Sequence, residues 1–70
     1  MASALANSAS QVLRDSPRPQ LRSIDVVEDE DEVVLNGRVD SYFEKQLAQE
    51  TVLPVLGPRR LRNLVIVSRA

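Results

Sequence analysis

The 70-residue sequence contains no cysteine and no histidine. Without cysteine, the chain can form neither disulfide bonds nor zinc sites built from thiolates. Without histidine, it lacks the side chain that serves most often as a general base and as a metal ligand. We therefore expect no metal and no other cofactor, and an enzymatic function is disfavoured.

Aromatic residues are almost as scarce, because Tyr42 and Phe43 are the only two and tryptophan is absent. The hydrophobic residues, 43% of the chain, are therefore mainly aliphatic and must build the core. A chain of this size forms one small domain, residues 1–70, and buries only about 60% of its unfolded surface, so its margin of stability is thin. We expect Phe43 in the core and Tyr42 partly exposed. The alternative is that both rings insert into a membrane, since aromatic rings favour the bilayer interface.

The charge is close to balanced, with a formal net charge of -1. Nucleic-acid binding usually needs a basic field, so no nucleic-acid partner is expected. No apolar run approaches the roughly 20 residues of a membrane-spanning helix. The opening "MASALANSAS" lacks the basic and continuous apolar regions of a signal peptide. These features predict a cytosolic chain unless it is a domain excised from a longer exported protein, so the localisation stays open.

Two elements are predicted before the acidic part of the chain. Apolar residues at helical spacing between Leu5 and Leu13 predict a helix over about residues 3–15. The segment "DSPRP" ends it, because a proline disfavours helical geometry in the residue before it. The period then changes to two, and Ile24 and Val26 predict a strand over about 22–27.

Five consecutive acids, Glu28 to Glu32, follow this strand. Unpaired carboxylates are costly to bury, so residues 28–32 are predicted to form an exposed turn, with Asp29 or Asp31 in the left-handed region. A calcium site is disfavoured, because the run lacks the spaced ligands and turn glycine of an EF-hand loop.

The dipeptide Asn36-Gly37 normally signals a hairpin. A hairpin here would place Leu35 opposite Arg38 and mix apolar and charged side chains on both faces. We therefore predict a continuous strand over 33–39. A glycine inside a strand often marks the close approach of another backbone, and we expect the following helix to approach Gly37 at Ala48.

A second helix and a last strand complete the chain. "SYFE" has the spacing of a capping box with Ser41 as N-cap, so a helix is predicted over 41–53. Pro54 should disrupt its last turn and Gly57 should stop it. Alternating residues then predict a strand over 61–68.

This order predicts an α+β fold, α-β-β-α-β, with a three-stranded mixed sheet and two helices packed on one face. Four aliphatic side chains should project from the bare face: Val27, Val34, Leu64 and Ile66. Polar side chains should frame them: Asp25, Asn36, Arg38 and Arg62. Exposed apolar residues rimmed by polar ones mark an interaction surface. The alternatives are scattered surface aliphatics or an N-terminal segment that folds across them.

The segments "LRSIDVV", "VVLNGRVDS", "EKQLAQE" and "VLGPRRLRNLVIV" together resemble the BON domain, a module of bacterial osmotic-stress and nodulation proteins. The resemblance covers about residues 5–67 and lies in the order and spacing of the segments. Two departures put the loops in doubt. The first hairpin turn has acids where the family often has glycine, and Pro58 stands where the family usually has an aliphatic residue.

The resemblance implies phospholipid binding and an association with the cell envelope, although a fold does not by itself imply a function. The residues offer one candidate anion site: Arg38, Arg59, Arg60 and Arg62. Clustered guanidinium groups can grip phosphate bidentately. The alternative is that these arginines simply neutralise the acids of residues 28–32.

Two hypotheses follow. The first is a non-enzymatic module that binds a phospholipid or membrane surface within a larger assembly. The second is a protein-interaction or self-association module that uses the bare sheet face, with a protein partner or a second copy of the chain. No catalytic constellation is visible, because Ser41 has no base and Lys45 has no pocket that would lower its pKa. An RNA-binding module is disfavoured, since the chain has no GXXG loop and no aromatic pair on the sheet.

Overall fold

The computed structural model describes residues 9–68. Its helices and strands are α1 (Ala9–Arg14), α2 (Pro19–Arg22), β1 (Asp25–Glu28), β2 (Glu32–Asn36), β3 (Arg38–Val39), α3 (Tyr42–Leu56), β4 (Arg60–Asn63) and β5 (Ile66–Val67).

The strands form a mixed sheet, as predicted. β1 pairs with β2 antiparallel, β2 pairs with β4 parallel, and the order of the three-stranded sheet is β1-β2-β4. β3 and β5 form a two-stranded parallel pair that continues β2 and β4 in the same register. Backbone hydrogen bonds from Leu64 N to Leu35 O (2.8 Å) and from Ile66 N to Gly37 O (2.9 Å) join the two pairs. The predicted α+β fold is therefore confirmed.

The chain runs straight on at Asn36-Gly37, so the rejected hairpin does not form. The predicted strand over 33–39 is nevertheless wrong in one respect, because Gly37 interrupts it and its first residue is Glu32. The predicted strand over 61–68 is likewise divided between Asn63 and Ile66.

Gly37 explains the interruption. Its φ of 135° is a conformation that L side chains rarely adopt. A Cβ atom here would lie 3.5 Å from Ile24 Cα and 3.8 Å from Asp25 N. The backbone that approaches Gly37 is thus the segment that enters β1, and the expected approach of the helix at Ala48 is wrong.

The turn between β1 and β2 is narrower than the predicted 28–32, because Glu28 and Glu32 belong to the strands. Asp29 Oδ1 accepts hydrogen bonds from Asp31 N (2.7 Å) and Glu32 N (2.9 Å). These two backbone donors close the turn, and no non-glycine residue between 9 and 68 has a positive φ. The expected left-handed aspartate is therefore wrong.

The two backbone donors, that of Asp31 first, also lower the pKa of Asp29 below its ordinary value of 3.8. These hydrogen bonds stabilise the folded state while the carboxylate of Asp29 is ionised. Its contribution to stability is complete above pH 3.8 and is lost as the pH falls through the lowered pKa.

The short helix α2 was not predicted. It places Pro19 at its start, where a missing N–H costs nothing, and buries Leu21 against the core. The strand expected over 22–27 therefore begins only at Asp25. The first helix ends at Arg14 rather than residue 15, and its predicted residues 3–8 lie outside the described residues.

Ser41 is the N-cap of α3, as predicted, and its Oγ accepts from Glu44 N (3.2 Å). Glu44 Oε1 in turn accepts from Asp40 N (3.2 Å). The predicted end at residue 53 is wrong, because the helix continues through Pro54 to Leu56. Pro54 has no N–H to donate to the carbonyl of Glu50, so the helix lacks one hydrogen bond near its end but is not broken there. Gly57 then ends the helix with a φ of 64°.

The core lies between the helices and one face of the sheet. Among residues 9–68, ten buried hydrophobic residues build it: Ala9, Leu13, Leu21, Ile24, Val33, Leu35, Val39, Ala48, Val52 and Val65. All are aliphatic, as the composition predicts. Phe43 is not among them: its side chain is 60% exposed, so its predicted place in the core is wrong.

Candidate functional site

Within residues 9–68, no helix or strand covers the face of the sheet that turns away from the helices. The predicted alternative, a cover formed by the N-terminal segment, lies outside the described residues. Val33 and Leu35 are fully buried on the helix side, so Val34 between them projects from the other side. Val27, directly opposite Val34 in the antiparallel pair, is 63% exposed. Leu64 and Ile66 are 47% and 58% exposed. We call these four residues, Val27, Val34, Leu64 and Ile66, the open face.

The four candidate arginines divide into two groups. Arg59 belongs to the structure of the domain, because its guanidinium group is almost fully engaged. Its Nη1 donates to Glu28 Oε1 (2.9 Å), its Nη2 to Val55 O (2.9 Å) and its Nε to Leu56 O (3.0 Å). The two carbonyls are unsatisfied acceptors at the end of α3, so Arg59 caps this helix while it pairs with β1.

Glu28 extends the same connection to α1. Its carboxylate accepts from Ala9 N (3.4 Å) and Ser10 N (3.3 Å) as well as from Arg59. The side chains of Arg59 and Glu28 are only 17% and 18% exposed. One ion pair therefore ties together α1, β1 and the end of α3.

The other three arginines are exposed. Arg62 Nη1 lies 3.9 Å from Glu32 Oε2. An ion pair at the surface contributes little to the free energy of unfolding. Arg60 stands opposite Glu32 in the parallel pair. Within residues 9–68, neither Arg38 nor Arg60 forms an ion pair.

Arg38 lies far from the other candidates. It stands opposite Ile66, four residues beyond Arg62, which corresponds to about 13 Å along an extended strand. Arg59, Arg60 and Arg62 lie beside the acidic turn instead. The structure therefore does not assemble the four arginines into one cluster.

Two aromatic rings are exposed at the start of α3, where the sequence analysis expected exposure of Tyr42 and burial of Phe43. Tyr42 and Phe43 are 66% and 60% exposed, and the guanidinium carbon of Arg18 lies 5.4 Å from the centre of the Phe43 ring. The helical period could have revealed this exposure. At 100° per residue, Phe43 is about 140° from Ala48 and about 180° from Val52, the buried residues of the same helix. We call Arg18, Tyr42 and Phe43 the aromatic end.

A groove also runs beside β1. It is lined by Ser10, Arg14, Arg22, Ser23, Ile24, Asp25, Val26, Val27 and Asn36. The groove is open to solvent and carries charges of both signs, unlike the enclosed and mostly apolar pockets that take small molecules. Within residues 9–68, no three acidic side chains are placed to hold a metal ion. The helices of the same residues are too short or too polar to cross a membrane.

Residues 9–68 form a small α+β domain with an open sheet face, an aromatic end and a solvent-exposed groove. The sequence model of the BON domain matches residues 2–69, and the chain belongs to the BON domain family. BON is a binding-type family and not an enzyme family. Comparison with curated proteins found no match, and comparison with solved structures found none.

Proposed function

We propose that this protein is a non-enzymatic module that binds the surface of a phospholipid membrane within a larger assembly. The observation that carries the proposal is the family match over nearly the whole chain, because the BON family is associated with phospholipid binding. The surface of the domain is compatible with this role, since it offers exposed guanidinium groups and exposed apolar side chains.

The headgroup contacts would come from the exposed arginines. Arg59 is an unsuitable ligand, because its donors are committed to Glu28 and to the end of α3. Arg38 and Arg60 have no ionic partner among residues 9–68. A guanidinium group near an anionic membrane surface contributes about 1 kcal/mol of binding free energy.

The first experiment is co-sedimentation with vesicles, comparing anionic with zwitterionic lipid at low and physiological salt. We expect binding to anionic vesicles that weakens as salt is added, because salt screens exposed charges. The double variant Arg38→Gln with Arg60→Gln should lose about 2 kcal/mol of binding free energy, which corresponds to a roughly thirtyfold weaker affinity for anionic vesicles.

The matched control removes two arginines from the helices instead, as Arg14→Gln with Arg22→Gln. It should bind as the unmodified protein does. A failure of the unmodified protein to bind any vesicle would reject the proposal. Equal losses in both double variants would reject Arg38 and Arg60 as specific contacts.

A second candidate function is self-association through the open face. The exposure of Val27, Leu64 and Ile66 favours it, because contiguous exposed aliphatic residues mark interaction surfaces. In this case a second copy of the chain would cover them, and lipid would have no part.

Sedimentation velocity tests this candidate. The unmodified protein should form dimers, and Leu64→Lys with Ile66→Lys should leave monomers, because each buried lysine would need a partner. The control Gln46→Lys with Leu53→Lys adds the same charge to exposed positions of α3 and should leave the dimer intact. A monomeric unmodified protein at high concentration would remove the candidate.

A further inference from the structure

The only two aromatic residues of this protein stand side by side on its surface. The core is entirely aliphatic, and Tyr42 and Phe43 are both more than half exposed. A single exposed apolar side chain is ordinary. Two adjacent rings are a different matter, because aromatic side chains carry the largest apolar areas and gain most from leaving water.

The contacts made by the rings within residues 9–68 do not remove them from water. Arg18 lies over the ring of Phe43, but the ring keeps 60% of its exposure. Arg18 itself is exposed, so its guanidinium group remains accessible to an anion. The aromatic end thus presents two rings and one cation together.

The negative charges nearest the rings already have hydrogen-bond partners. Asp40 Oδ2 accepts from Gln20 Nε2 (2.6 Å), and Glu44 Oε1 accepts from Asp40 N (3.2 Å). Two exposed arginines belong to this end of the sheet, Arg18 at the Phe43 ring and Arg38 in β3. The neutral hydrogen-bond donors leave both carboxylates charged, so this end carries two cations and two anions, whereas the acidic end of the sheet carries the five acids of residues 28–32 against Arg59, Arg60 and Arg62.

The acidic turn lies at the opposite end of the sheet. Glu32 begins β2 beside the turn, and Val39 ends β3 just before α3, a separation of about 23 Å along an extended strand. An anionic surface that touched the acidic turn would be repelled, whereas one that touched the aromatic end would meet Arg18 and Arg38. The charges favour one orientation.

We propose that the aromatic end, Arg18, Tyr42 and Phe43, is the part of the protein that enters the interface of an anionic phospholipid bilayer. The rings lie at the level of the headgroups, where aromatic side chains are most stable, and Arg18 contacts lipid phosphate. Arg38 lies at this end of the sheet, whereas Arg60 and Arg62 lie beside the acidic turn. The orientation therefore narrows the headgroup contacts proposed above to Arg18 and Arg38, so Arg38→Gln alone should weaken vesicle binding as much as the double variant with Arg60→Gln does. This inference rests on the proposed membrane-binding function and specifies its orientation.

A protein partner is a less suitable occupant. Protein hot spots lie in well-packed pockets or grooves, and none of the three residues of the aromatic end lines the groove beside β1. A bilayer needs no complementary shape, and it provides an apolar layer beneath a layer of phosphate.

The chain provides its own reporter for this orientation. Tyr42 is the only tyrosine, and there is no tryptophan, so the intrinsic fluorescence of the protein comes from the aromatic end. Bromine atoms on lipid acyl chains quench only fluorophores that lie in or next to the apolar layer. We expect vesicles of phosphatidylglycerol with brominated phosphatidylcholine to quench Tyr42 by at least a third, and its quenching by aqueous acrylamide to fall at the same time.

The companion variants are Phe43→Ser and Arg18→Gln. Phe43→Ser should weaken co-sedimentation with anionic vesicles about tenfold, and Arg18→Gln should reduce the preference for anionic over zwitterionic lipid. The matched control is Leu53→Ser, which removes an apolar side chain that is 48% exposed near the other end of the same helix. It should bind as the unmodified protein does.

The outcomes separate the two proposals. If the protein binds no vesicle, both the membrane-binding function and this orientation are rejected. If it binds while Tyr42 stays unquenched and Phe43→Ser behaves like Leu53→Ser, only the orientation is rejected. Quenching of Tyr42 together with a selective loss in Phe43→Ser would support it.

Discussion

Replacing Arg59 with glutamine is expected to lower the free energy of unfolding by about 2–4 kcal/mol. The change removes one charged partner of a carboxylate that is only 18% exposed, and it removes side-chain donors from two carbonyls at the end of α3. Both side chains of the pair retain some exposure, so we expect a smaller loss of stability than for a fully buried ion pair. Urea unfolding followed by circular dichroism would measure it.

The neighbouring arginine provides the control. Arg60→Gln makes the same chemical change at an exposed position and should alter stability by no more than about 0.5 kcal/mol. Equal effects of the two substitutions would show that Arg59 has no special structural role. The comparison also bears on function, because folded Arg59→Gln protein should still bind vesicles if Arg59 is not a headgroup ligand.

The second large effect is expected at Leu35. This side chain is fully buried at the centre of the sheet, and Leu35→Ala should cost about 2–5 kcal/mol through the lost transfer energy and the cavity left behind. Stability of 0.05–0.15 kcal/mol per residue gives a domain of this length roughly 4–10 kcal/mol in total. The variant should therefore be close to unfolding at physiological temperature, which thermal unfolding would record.

Leu64 is the matched leucine on the opposite face. It is 47% exposed, so Leu64→Ala should lower the free energy of unfolding by less than about 0.5 kcal/mol. A cost at Leu64 that approaches the cost at Leu35 would mean that the open face is covered in solution. Such a result would favour self-association and would be expected to depend on protein concentration.

Much of the fold could be predicted because it depends on short-range patterns. Alternation separates Val33 and Leu35 from Val34, and this separation fixes which side of the sheet carries the core. The same alternation settles the ambiguous Asn36-Gly37 in favour of a strand that continues. The cap at Ser41 is equally local, because its partner lies three residues away.

The wrong predictions concern positions where long-range packing, or a conflict between two local sequence patterns, decides the structure. The one-turn helix α2 is absent from the prediction, because four residues are too few to show a helical period. The close neighbour of Gly37 is the entry to β1 and not the following helix. Phe43 was placed in the core because of its hydrophobicity, although its position on α3 turns it to solvent.

The candidate arginines show the same limit for function. Their spacing indicated a cluster with affinity for phosphate, but spacing does not reveal which positive charges already have partners. Arg59 pairs with Glu28, 31 residues away in the chain, and only the packing of β1 against the end of α3 brings them together. Arg38 is separated from the others by the length of the strand.

The sequence by itself determined the order of the main elements, the two faces of the sheet and the aliphatic character of the core, because each depends on residue type and local periodicity. The tertiary structure alone decided which arginine is structural and which are exposed, and it brought the segment that enters β1 against Gly37. The physical reason is that charge pairing and burial depend on distances in space, which a chain sets only when distant segments pack together.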